Sequence, residues 1–194
     1  MAGSDVQHAG LGGMIRARRQ KLDMTLQEVS SEAGISTGYL SLIERDKVTP
    51  ALTTLSRIAA ALGVGIDAFV GRPEPADCVT RADSRSEFPL GGLRYERLGA
   101  VFPGSELSCF KLTLEPGYAS EASGHTGEET IFVLSGRVEL LLDGEAIGLS
   151  TGDSAHYDSN RAHGLRNDGD APAELLWTGT IDLFGDRMLE ERAE

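Results

Sequence analysis

The sequence predicts a two-domain protein, an all-α domain of five short helices followed by an all-β sandwich or barrel. Three observations carry this. Apolar residues recur at helical spacing up to about residue 70, then alternate with period two from residue 93. Turn-forming pairs such as Pro116-Gly117, Ser135-Gly136, Asp143-Gly144 and Thr151-Gly152 divide the second half, where regular short strands suit a sandwich or barrel. Residues 71–90 between them hold Gly71, Pro73, Pro75 and Pro89 with little periodicity.

Residues 1–10 are expected to be disordered, and residues 11–70 to form the helical domain. The first helix spans 11–22, with Leu11, Met14, Ile15 and Arg18 along one side. Thr25 followed three residues later by Glu28 is a capping box, each residue satisfying an amide of the other. Leu26, Val29, Ser30 and Ala33 then make a narrow packing face, and Gly34 ends the helix in a left-handed cap. Ile35 plugs the corner, Ser36 caps the third helix, and Leu40 and Ile43 turn it back on the second. Small residues at Ser30 and Gly34 allow the close crossing of a helix-turn-helix. Thr49 is read as a cap and Pro50 as the first residue of a fourth helix over 51–62, whose stripe is Leu52, Leu55, Ile58, Ala59 and Leu62. A short fifth helix spans 65–70.

Residues 71–90 read as a linker with a short strand near 78–81, and residues 91–182 as the β domain. Expected strands are 93–98, 107–114, 130–134, 137–142, 145–149, 153–157, 163–167 and 173–181. Residues 183–194 form a C-terminal tail.

The 194 residues carry a net charge of −12, unevenly distributed. Residues 1–70 hold seven Lys/Arg and seven Asp/Glu; the remainder holds eleven and twenty-three, so the whole excess lies in the second half. A neutral domain with basic spots at Arg16, Arg18, Arg19, Lys21, Arg45 and Lys47 can still neutralise phosphates. Two cysteines without CxxC spacing, no apolar leader and no long apolar run predict a cytoplasmic protein without a membrane span.

The order Leu26, Gln27, Ser30, Gly34, Ser36, Tyr39, Leu40, Ser41, Ile43, Glu44 and then 49–52 resembles the XRE family, the Cro- and phage-repressor-like helix-turn-helix domains. The resemblance implies that the third helix enters the major groove of a double-stranded operator. Thr37, Gly38 and Ser41 would then face bases, the capping Ser36 would belong to the same DNA-binding surface, Tyr39 would divide between groove and core, and Gln27, Arg45 and Lys47 would lie near phosphate. In the second half Gly117, His125, Glu129 and Gly136, separated by seven, three and six residues, precede a second cluster at 152–163. Together they resemble the two motifs of the cupin family of jelly-roll barrels. Ser123 departs from the pattern where a first metal-binding His is usual, as do Asp158 and Asn160 where Pro and Gly are usual.

The cupin resemblance implies a pocket among Ser123, His125, Glu129, Tyr157, His163 and Trp177. His125, Glu129 and His163 would hold a divalent metal (Zn, Fe, Mn or Ni), or would hydrogen-bond an organic effector instead. His156 reads as a surface residue, Trp177 as core packing or a stacking platform, and Arg94, Arg97 and Arg161 as surface charges or partners of an anion. The expected function is sequence-specific transcriptional regulation by a homodimer whose cupin domain binds a small-molecule effector. The alternatives are a metal-dependent cupin enzyme, dioxygenase or isomerase, fused to a DNA-binding module, and a cupin serving only as a dimerisation scaffold.

Overall fold

A computed structural model describes residues 10–70, 78–100 and 106–181. The expectations for residues 1–9, for the linker over 71–77 and for the tail over 183–194 lie outside these residues. The helical domain contains α1 (Leu11–Lys21), α2 (Leu26–Glu32), α3 (Thr37–Glu44), α4 (Leu52–Ala61) and α5 (Asp67–Val70). The capping box forms: the Glu28 amide donates to Thr25 Oγ1 at 3.2 Å and the Thr25 amide to Glu28 Oε2 at 2.6 Å. Ser36 caps α3 by accepting from the Tyr39 amide at 3.1 Å. Gly34 adopts φ +65°, and an added Cβ would meet only Arg57 Nη1 at an ordinary 3.9 Å, so backbone conformation and not crowding selects glycine. At Gly12 crowding decides, because an added Cβ would lie 2.1 Å from the Ile43 carbonyl oxygen where α1 crosses α3.

Ile15, Val29, Leu40, Ile43, Leu55, Ile58, Leu62 and Ile66 fill the core of this domain. A partly buried pair pins α1 to α3: Arg19 donates to both carboxylate oxygens of Glu44 at 2.6 and 2.8 Å and also to the Met24 carbonyl. Arg19 is therefore structural, a correction to its place among the phosphate-facing cations. The start of α4 also differs from expectation. Its cap is Ala51, without a side-chain bond, and Pro50 precedes the helix. A residue before proline is driven to extended backbone, and Thr49 instead presses against Gly91 of the second domain, where an added Cβ would meet Thr49 Cγ2 at 2.3 Å.

The second domain is antiparallel throughout. Its strands are β1 (Glu87–Leu90), β2 (Leu93–Arg97), β3 (Ser108–Leu114), β4 (Glu128–Ser135), β5 (Arg137–Leu142), β6 (Glu145–Ser150), β7 (Ser154–Asp158), β8 (His163–Arg166) and β9 (Ala173–Gly179). One sheet runs β1-β2-β3-β9-β4-β7 and the other β6-β5-β8. The barrel begins inside the stretch read as linker: β1 pairs β2 with Phe88 opposite Tyr95, and no strand forms at 78–81. Pro89 on β1 obscures this in the sequence, yet β1 is an edge strand, where a missing amide is tolerated. Phe88 stacks on Tyr95 at 4.8 Å between ring centres, and Phe110 lies 5.9 Å from both Tyr95 and Trp177. This aromatic group closes one side of the barrel core.

Candidate functional sites

The first candidate surface is the start of α3. Ser36, Thr37, Gly38, Gln27, Arg45 and Lys47 are exposed, while Ser41 and Tyr39 are half-buried. Gly38 has no atom within 4 Å of where a Cβ would stand, so the backbone there is open to a partner. Two of the expected contacts are engaged inside the protein. Thr37 Oγ1 lies 2.9 Å from Ser30 Oγ, and Arg45 Nε donates to the Ser41 carbonyl at 2.9 Å. Tyr39 departs furthest from the expected arrangement. Its hydroxyl is enclosed beside the Glu121 carboxylate of the barrel domain without a well-formed hydrogen bond. Burial first, and then that carboxylate, push the phenol pKa up.

The second candidate lies in the barrel. His125 stands just before β4, Glu129 on β4, Tyr157 on β7 and His163 on β8. The register that pairs Glu129 with Tyr157, together with the Ser123–His163 bridge, gathers residues up to 38 apart in sequence. Glu129 Oε1 is 2.8 Å from His125 Nε2 and 3.5 Å from His163 Nε2, and Glu129 Oε2 accepts from the Tyr157 hydroxyl at 2.7 Å. Burial would raise the Glu129 pKa, but the two imidazoles and the phenol outweigh it and hold the carboxyl far below the usual range. Tyr157 is pushed up by burial and by the charge it donates to. Burial would lower His163, yet Glu129 and the Arg161 carbonyl leave it raised.

Each imidazole has its other nitrogen against a backbone carbonyl, His125 Nδ1 with Thr126 at 3.2 Å and His163 Nδ1 with Arg161 at 2.8 Å. Where Nδ1 donates to that carbonyl, Nε2 is the nitrogen turned inward: with a proton it donates to Glu129, and without one it offers its lone pair to a metal. The ligand atoms of His125, Glu129 and His163 all lie within 4.8 Å of one another. Two imidazole nitrogens and one carboxylate oxygen fit a divalent transition metal.

The cavity above this cluster is lined by Tyr95, Leu112, Tyr118, Leu165 and Trp177 from the barrel. Trp177 packs on Phe110 and also lines the cavity. His156 is on the outer surface, 2.8 Å from Glu128, and Arg161 pairs with Asp143 at 2.6 Å. Arg94, Arg97 and Arg161 do not line the cavity. Sequence reasoning missed its far wall, which comes from the other domain: the cap Ala51 with Leu52 and Thr53 of α4. The departure at Ser123 now has a structural reason. Its hydroxyl faces Thr53 Oγ1 across the domain boundary at 3.1 Å.

Residues 15–69 match the helix-turn-helix family and residues 110–179 the cupin domain family. The chain is 28% identical over 170 residues to the HTH-type transcriptional regulator PuuR of Escherichia coli K12, covering 86% of this chain and 92% of that protein. It is 26% identical over 165 residues to the HTH-type transcriptional regulator SutR of the same strain, covering 82% and 88%. A crystal structure of an HTH_3 family transcriptional regulator from Vibrio cholerae superposes with a TM-score of 0.53 at 21% identity, over 89% of this chain and 96% of that one, a likeness of fold. The chain carries an XRE-type helix-turn-helix domain followed by a cupin domain.

Proposed function

We propose that the protein is a sequence-specific DNA-binding transcriptional regulator, with α3 as its recognition helix and the barrel as its small-molecule sensor. The observation that carries this is the pairing of an outward, acid-free N-terminal turn on α3 with a mostly apolar barrel cavity, floored by the polar Glu129 and His163, in the same chain. Likeness to PuuR and SutR across both domains supports it. Thr37, Gly38 and Ser41 read base edges, while Arg45 and Lys47 neutralise phosphates and the Gln27 amide hydrogen-bonds one. The protein acts as a homodimer with recognition helices about 34 Å apart on a palindromic operator. The effector lies against Trp177 and Tyr118, with its polar end toward Glu129 and His163. A divalent metal held by His125, Glu129 and His163 would supply a Lewis-acidic anchor for that end.

Selection of duplex fragments from a genomic library by the full chain tests this reading. A recurring palindrome is expected; a pool that stays random contradicts it. The metal-donor set also favours a second reading, a metal-dependent enzyme with a DNA-binding module. Metal analysis with oxygen-uptake and isomerase assays tests that reading, and turnover by the purified protein would favour it.

A further inference from the structure

The barrel cavity does not close on itself. Its open end meets the first turn of α4, so Ala51, Leu52 and Thr53 of the helical domain complete the wall that Tyr118, Ser120, Glu121 and Ser123 begin. Two further contacts seat the domains on each other. Thr53 Oγ1 and Ser123 Oγ are 3.1 Å apart, and Thr49 packs on Gly91 so closely that a Cβ there would collide with it. The same seating brings the exposed Glu121 carboxylate beside Tyr39 on α3 and encloses the phenol. A carboxylate at the flank of a recognition helix opposes the approach of a phosphate backbone, whose attraction to cations supplies most non-specific affinity. The enclosed Tyr39 is also withheld from the groove.

We propose, resting on the regulator reading above, that the Thr53–Ser123 contact is a latch whose closed form holds α3 in a DNA-incompetent arrangement. Any occupant of the cavity that touches both walls adds contacts only in the closed form, and so shifts the population toward release of DNA. The helical domain thus reads the cavity by direct contact at α4.

The test locks the latch covalently and needs no ligand. In a Cys78→Ser, Cys109→Ser background, Thr53→Cys and Ser123→Cys place two thiols where hydroxyls now stand 3.1 Å apart. The longer C–S bonds close most of the remaining gap to a disulfide. Binding to duplexes selected by the wild-type chain is then measured for the oxidised and reduced forms of the same sample. The expected result is a cross-link that forms readily without DNA and binds at least tenfold more weakly when oxidised, with recovery on reduction. Equal or tighter binding by the oxidised form overturns the latch while leaving the regulator reading intact. Failure of the pair to cross-link, in protein whose helical content matches wild type, overturns the closed seating itself. If even the wild-type chain selects no duplex, the regulator reading fails and the latch with it. Gly91→Ala gives an independent check from the barrel side, because its Cβ would lie 2.3 Å from Thr49 Cγ2 without entering the cavity. This variant is expected to bind DNA several-fold more tightly than wild type, and weaker binding counts against the latch.

Discussion

The two domains present their polar groups in opposite ways. At the start of α3, small neutral hydroxyls and a bare glycine stand in solvent, held by caps only a few residues distant: Ser36 to Tyr39 and Thr37 to Ser30. Inside the barrel, one carboxylate is hydrogen-bonded to His125 and Tyr157, lies 3.5 Å from His163, and is shielded from water. The first arrangement leaves recognition groups available to a large partner and contributes little to stability. The second is a satisfied buried network in which any single loss strands several partners. Stability and function are therefore separable in the helical domain and entangled in the barrel.

Removing Glu129 breaks the comparison most severely. Glu129→Ala leaves the Tyr157 hydroxyl and two imidazoles facing a void, which should destabilise the barrel by about 3–5 kcal/mol. Trp177, the only tryptophan, reports barrel unfolding by fluorescence, while circular dichroism at 222 nm follows the helices. The fluorescence transition should move and the helical one should not. Gly12→Ala is the reciprocal case. A methyl group against the Ile43 carbonyl should cost the helical domain about 1–3 kcal/mol, shifting the dichroism transition with Trp177 unaffected. Coincident shifts in either experiment would show that the domains unfold as one unit, contrary to the separation drawn here.

Substitutions on the exposed face should leave both transitions in place and act on binding instead. Ser41→Ala is expected to lose about 1–3 kcal/mol of discrimination at one operator position. Lys47→Ala should weaken all sequences alike and reduce the salt slope by about one. Competition titrations at several salt concentrations separate the two. The smallest effect is expected at the α2 cap, where Thr25→Ala removes the hydroxyl half of the capping box and should cost about 1 kcal/mol of helical-domain stability.

The same contrast explains what could be read from the chain alone. Thr25 with Glu28, Gly34 and Ser36 announce α2 and α3 because their partners lie within three or four positions. The β4-to-β9 strands were legible from alternation and from turns such as Asp143-Gly144, both at positive φ between β5 and β6. β1 was hidden by Pro89 and by its place in a proline-rich stretch. His125, Glu129 and His163 were legible only as a motif, since the register that joins β4 to β7 and β5 to β8 is non-local. The α4 wall of the cavity left no local trace. Thr49 and Pro50 look like the start of a helix, and only the barrel docked against them shows why the helix begins later.

The central claim is that α3 of this chain distinguishes one duplex sequence from another. Equilibrium titration of the full chain against its selected palindrome and a scrambled duplex, at low and physiological salt, addresses it directly. The account predicts a preference of roughly a thousandfold or more at physiological salt, with scrambled binding collapsing as salt rises. Equal affinity for the two duplexes at both salt concentrations would contradict it.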